Sequence, residues 1–155
     1  MADIRQVTWV PRRFPTALGG LFLFLPWLVR LDLAGLVAQA DFPGTRMIPA
    51  AEAVRVTLAL KLTSTERKSH VMDLVFDDGL ALWAGLNVTP KTTFLSQYAG
   101  RLGPRRLTAL LDGWVQTLRG QGVVPGQTFN LDFHAIPFFG ADEFVEKHYV
   151  SRRSR

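Results

Sequence analysis

Along the first two-thirds of the chain, apolar side chains recur at the three- and four-residue steps of helices, and after residue 122 the period shortens to two. A basic, proline-punctuated start, Pro11-Arg12-Arg13-Phe14-Pro15, leads to Thr16, which suits the cap of a helix running towards Val29. Asp32 suits the cap of a second helix through Gln39, and Phe42-Pro43-Gly44 then breaks the chain. Pro49 fits the first position of a helix over residues 50–62, apolar on most sides and therefore expected at the centre. A polar connection over residues 63–68 leads to a short helix around residues 70–76, with a stop at Asp77-Asp78-Gly79.

Two further helices have the proportions of a helix-turn-helix over residues 79–101. Residues 80–86 are a short apolar helix, Asn87-Val88 a turn, and Thr89-Pro90 a cap with proline at the first position of a helix to about Arg101. At about 100° per residue, Phe94, Leu95, Tyr98 and Leu102 share one face, and Thr92, Thr93, Ser96, Gln97 and Arg101 fall on the other. That outer face is short-chained, polar and uncharged apart from Arg101, as a base-reading surface can be, although any solvated helix can look the same. Gly103-Pro104 then opens the best amphipathic helix, whose stripe of Leu107, Leu110, Leu111, Trp114, Val115 and Leu118 is expected in the core, with Arg105, Arg106 and Arg119 in solvent.

Beyond Gly126 the pattern is β. Phe129, Leu131, Phe133 and Ala135 alternate with Asn130, Asp132, His134 and Ile136, Pro137-Phe138-Phe139-Gly140 is a turn, and residues 144–150 form a returning strand. The fold class read from the pattern is mainly α with a C-terminal β-hairpin, divided into a helical region 1–122 and a β portion 123–155. A two-stranded hairpin is not stable by itself, and its unpaired edge would invite self-association into a homo-oligomer.

Composition narrows the function classes. At 155 residues and 48% apolar the chain is globular, and without cysteine it has neither disulfides nor thiolate chemistry. Eighteen basic against thirteen acidic side chains, fourteen of the basic ones arginine, favour a polyanionic partner. The apolar run over residues 17–29, with Arg12 and Arg13 before it and Ala38-Gln39-Ala40 after it, has the outline of a signal peptide and so admits a secreted protein. Against that reading stand Asp3, Pro26, Arg30 and Asp32, and about 20 Å of helix falls short of a ~30 Å hydrocarbon core. A buried core helix, with no membrane partner, is the expectation.

Asp132 and His134, two apart on a strand, project to one side and can share a divalent metal, although polar residues on the open face of an edge strand give the same pattern. No Gly-x-Ser-x-Gly, His-Glu-x-x-His or phosphate-loop motif is present. The segment Thr128-Phe129-Asn130-Leu131-Asp132-Phe133-His134-Ala135-Ile136-Pro137, with Glu146-Lys147-His148-Tyr149-Val150 and Ser-Arg-Arg-Ser-Arg after it, resembles the first catalytic strands of DDE transposases of bacterial insertion sequences. The helical stretch before it, including residues 80–102, resembles the DNA-binding region that precedes that catalytic domain.

The resemblance implies that residues 123–155 are the incomplete start of an RNase H-like α/β domain, with Asp132 as the first of three metal-binding carboxylates and His134 beside it. It implies magnesium as the cofactor of the intact enzyme, double-stranded DNA at transposon ends as the partner, and a cytoplasmic, nucleoid-associated location in a bacterium. The family's second aspartate and its glutamate have no counterparts here, and Glu143 and Glu146 do not substitute for them in the expected register. The chain therefore reads as a truncated transposase that keeps DNA binding and lacks catalysis. Thr92, Thr93, Ser96 and Gln97 are its expected base readers, and Lys91, Arg101, Arg105 and Arg106 its phosphate contacts. The alternative is a stand-alone helical DNA-binding or interaction module without catalytic ancestry.

Overall fold

A computed structural model describes Pro11, residues 13–65 and residues 67–123. These belong to the first of two compact units, Met1–Pro125. Every regular element among the described residues is helical: a 3-10 turn Gly19–Phe24, α1 Leu25–Arg30, α2 Leu33–Gln39, α3 Ala50–Leu62, a second 3-10 turn Lys68–Asp73, α4 Asp78–Ala84, α5 Thr92–Arg101 and α6 Pro104–Gly120. The mainly helical class stands. The expected hairpin and its Asp132 and His134 lie outside the described residues.

The apolar run expected as one helix is two, and Pro26 explains the break. Proline lacks an amide hydrogen and clashes with the preceding turn, so it is tolerated in the first turn of an α-helix and not in its interior; it sits in the first turn of α1, and a 3-10 turn precedes it. The next junction is at Asp32, whose backbone is left-handed at φ 48°, a conformation aspartate tolerates better than most residues. Its carboxylate accepts from the Gly35 amide at 3.1 Å and caps α2 as expected. A Cβ at position 35 would lie 2.1 Å from Asp32 Oδ2, so the cap requires glycine there. Leu21, Leu28, Leu33 and Val37 enter the core, and among the described residues no single helix is long and apolar enough to cross a membrane.

α3 is central, as its all-round apolarity predicts, and packs between α2 and α4. Trp83 of α4, 1% exposed, is the largest fully buried side chain. Its ring meets Phe22 edge-on at 6.5 Å and its Nε1 donates to the Arg55 carbonyl of α3 at 3.2 Å, which satisfies the one polar group a buried indole carries.

Asp77-Asp78-Gly79, expected as a stop, does follow the end of the 3-10 turn Lys68–Asp73, and it is also a start. The Asp77 carboxylate accepts from the Gly79 amide at 2.7 Å and caps α4. It also accepts from Thr16 Oγ1 at 2.6 Å and from the Ala17 amide at 3.0 Å. Thr16 therefore does not cap a helix; it accepts from the Leu18 amide and fastens the N-terminal segment to α4. A Cβ at Gly79 would meet Thr16 Oγ1 at 2.1 Å, so only glycine lets the two segments approach this closely.

α6 departs furthest from expectation. None of its residues is fully buried. Leu110 and Trp114 pack on the core, whereas Leu107, Leu111 and Val115 are 43%, 65% and 40% exposed. α6 packs chiefly on α2, and an apolar stripe of this width exceeds what one helix covers. Two ties hold α6 in place. Gln121 Nε2 donates to the Arg30 carbonyl at the end of α1 at 2.8 Å, satisfying an orphan of that helix terminus. Arg106 grips Asp41 just past the end of α2.

Burial alone would raise the Asp77 carboxyl, but hydrogen bonds from Thr16, Ala17, Gly79 and Leu80 outweigh it and hold the group below its ordinary 3.8. A carboxylate depressed in this way stabilises the fold fully above its unfolded-state value and ceases to do so as the pH falls through the lower folded-state value. Asp77→Ala is therefore expected to cost about 1–2 kcal/mol at neutral pH through the lost cap. The gap in melting temperature from the unsubstituted chain should narrow below about pH 4, as thermal melts followed by circular dichroism would show; a gap that widens in acid would contradict the assignment.

Candidate nucleic-acid interface

α5 begins later than the Thr89-Pro90 pair predicts. Thr89 is 3% exposed and turned inward with no hydrogen-bond partner for its Oγ1, so it does not cap; the N-cap position falls to Lys91, and no side chain caps the helix. The first amide groups of α5 are thus left without a side-chain acceptor next to an exposed cation. Leu95 and Tyr98 are buried, and Phe94 and Leu102 are packed against the core, so the inward face is the one the helical period assigns.

The expected reading face is exposed at Thr93, Ser96, Gln97 and Arg101. Thr92 leaves that set. It is half-buried and its Oγ1 is shut off from solvent without a partner, because the first helical residue here lies on the boundary between the two faces.

Arg101 is held from below. Its guanidinium lies 5.9 Å from the Phe94 ring centre and 5.8 Å from that of Tyr98, and the two rings stack at 5.6 Å. A cation over an aromatic face keeps its donors free while its stem is ordered. Burial pushes the Tyr98 hydroxyl up to about 12, opposed only in part by the Arg101 charge, so the ring under Arg101 remains neutral.

Arg105 and Arg106, paired in the expected phosphate set, separate in the structure. Arg105 is exposed. Arg106 is tied down at the surface: its NH2 group contacts Asp41 Oδ2 at 2.8 Å, its Nε donates to the Asp41 carbonyl, and its NH1 reaches the Arg101 carbonyl at 3.5 Å. Asp41 has left-handed backbone at φ 52°, and Arg106 fixes both its side chain and its carbonyl in that conformation. A guanidinium used in this way is not offered to a phosphate.

The helix-turn-helix proportions are also altered. Residues 85–91 separate α4 from α5, a longer connection than the three or four residues typical of that motif. The two helices moreover pack on different partners, α4 on α3 and α5 on the 3-10 turn Lys68–Asp73. α5 is presented as a single helix with one open face rather than as the second half of a tight pair.

One signal in the sequence marks this surface better than the motif does. From Gly79 to Leu111 the chain carries Lys91, Arg101, Arg105 and Arg106 and no carboxylate. Among the described residues no group of three or more His, Asp or Glu side chains is placed to hold a metal ion. Asp132 and His134, the residues the resemblance assigns to metal, lie outside the described residues. No protein-family model, no curated protein and no solved structure matches the chain.

Proposed function

We propose that this chain binds double-stranded DNA through the open face of α5, as the DNA-binding part of a transposition protein of the DDE type. The observation that carries the DNA reading is the acid-free face of Thr93, Ser96, Gln97 and Arg101, with Lys91 at one end of the helix and Arg101 and Arg105 at the other. α5 has ten residues and is about 15 Å long, comparable to the ~12 Å width of the major groove. Cations at its two ends can thus meet phosphates on either side while the short side chains between them meet base edges. The uncapped amides at its start add a partial positive charge and donors suited to a phosphate oxygen.

The transposition part of the proposal rests on the likeness of residues 128–137 to a first catalytic strand, with Asp132 as the carboxylate for magnesium, His134 as its neighbour, and the nucleoid as the place of action. A lone carboxylate holds magnesium weakly, because that ion sheds water reluctantly and favours octahedral oxygen coordination, and a two-metal site needs several converging carboxylates. DNA binding without cleavage is the activity proposed for the chain. A helical interaction module is the second reading, favoured by the exposed side of α6.

Duplex-DNA affinity measured by fluorescence anisotropy is expected to fall by about 0.9 log unit per log unit of salt for each phosphate contact. Arg101→Ala should weaken binding to all sequences alike, whereas Gln97→Ala should chiefly reduce discrimination among them, by about 1–3 kcal/mol at the base it reads. Arg106→Ala should instead lower stability, by about 1 kcal/mol given the exposure of its partner. Absence of association at low salt would exclude the DNA reading.

In plasmid-nicking assays with magnesium or manganese the chain is expected to be inactive, and Asp132→Ala to leave DNA affinity unchanged. Metal-dependent nicking that Asp132→Ala abolishes would show that a complete site assembles after all.

A further inference from the structure

The half-covered stripe of α6 is bordered by a row of charges. Viewed down the helix, Leu110 and Trp114 turn to the fold, and Leu107, Leu111 and Val115 come next, exposed, in line with Pro104 and Thr108. Beyond them Arg105, Asp112 and Arg119 recur every seven residues, which stacks them along the outer edge in the order positive, negative, positive. Arg105 and Asp112 are both exposed.

This pattern complements itself. We propose that the exposed side of α6 docks a second copy of the chain, with the two α6 helices antiparallel about a two-fold axis that passes between Ala109 and Leu110. The charges select the register. With the helices fully overlapped, Asp112 would face its own copy and Arg105 would face Arg119, and such like-charge contacts are costly. Displaced towards the start of α6, the pair instead sets Arg105 against Asp112 of the mate, and symmetry makes this contact twice.

The same displacement matches the apolar positions. Pro104 comes opposite Val115, Thr108 opposite Leu111, and Leu107 beside Trp114, so residues 104–115 of both helices are paired over about 18 Å. The opposite displacement would set Asp112 against Arg119, but Arg119 already has an interaction within the chain and Leu111 would then face Gly122. Leucine and valine side chains supply the attraction, and the ion pairs, exposed at the rim, set direction and register. Arg105 is then held by the mate's Asp112, which leaves the phosphate contacts of the DNA reading to Lys91 and Arg101.

Sedimentation equilibrium of the full chain without DNA tests this independently of the DNA reading. The chain is expected to dimerise in a concentration-dependent manner, and Leu111→Glu to remove the dimer while leaving the helical circular dichroism and melting temperature of the monomer unchanged. Asp112→Arg and Arg105→Asp should each weaken dimerisation about tenfold, and the double variant should restore it, as expected for directly coupled residues. A chain that stays monomeric throughout would overturn the proposal. A dimer that Leu111→Glu leaves intact, or charge variants whose effects add without rescue, would overturn it equally.

Discussion

The carboxylate of Asp77 joins two segments of chain about sixty residues apart, and the position of α4 depends on that junction. One oxygen takes the Thr16 hydroxyl and the Gly79 amide, and the other takes the Ala17 amide. The same group therefore starts a helix and fixes the direction in which the N-terminal segment leaves it. Two turns further along α4, Trp83 fills the space between Phe22, on the segment so fixed, and α3. Neither contact suffices alone: the cap gives direction and little buried area, and the indole gives area whose use depends on how α4 is aimed.

The two helices with functional interest show how the same fold leaves different surfaces open. α5 puts its aromatic face down, and the rings that anchor it also support Arg101 from beneath. α6 packs chiefly on α2, and the outer side of its apolar stripe is exposed, with charges along its rim. Exposed apolar surface is costly to leave in water unless something covers it, and the alternating charges at that rim make a second α6 a fitting cover.

Arg106 illustrates why a basic cluster cannot be apportioned by sequence. Arg105 and Arg106 are consecutive and chemically identical, yet about 100° around the helix separates them, which turns one to solvent and the other to the end of α2. There it meets Asp41, a residue in left-handed conformation whose carboxylate and carbonyl both accept from the guanidinium. The distinction between a DNA contact and a structural tie is a matter of which face of α6 packs on α2.

Periodicity and capping chemistry within a few neighbouring residues were enough to give the helical class, the extents of α2, α3 and α6 within a residue or two, the inward face of α5 and the role of Asp32. The sequence left open that Pro26 would split a helix, that Asp77 would begin a helix as well as follow one, and that Thr89 and Thr92 would turn inward. It also could not show that half of the α6 stripe would remain uncovered. The Pro26 break is local chemistry that the apolar run masks, whereas the others are set by parts of the fold distant in the chain, such as Thr16 for Asp77 and α2 for α6; local pattern records which side chains seek a partner without recording which of them find one.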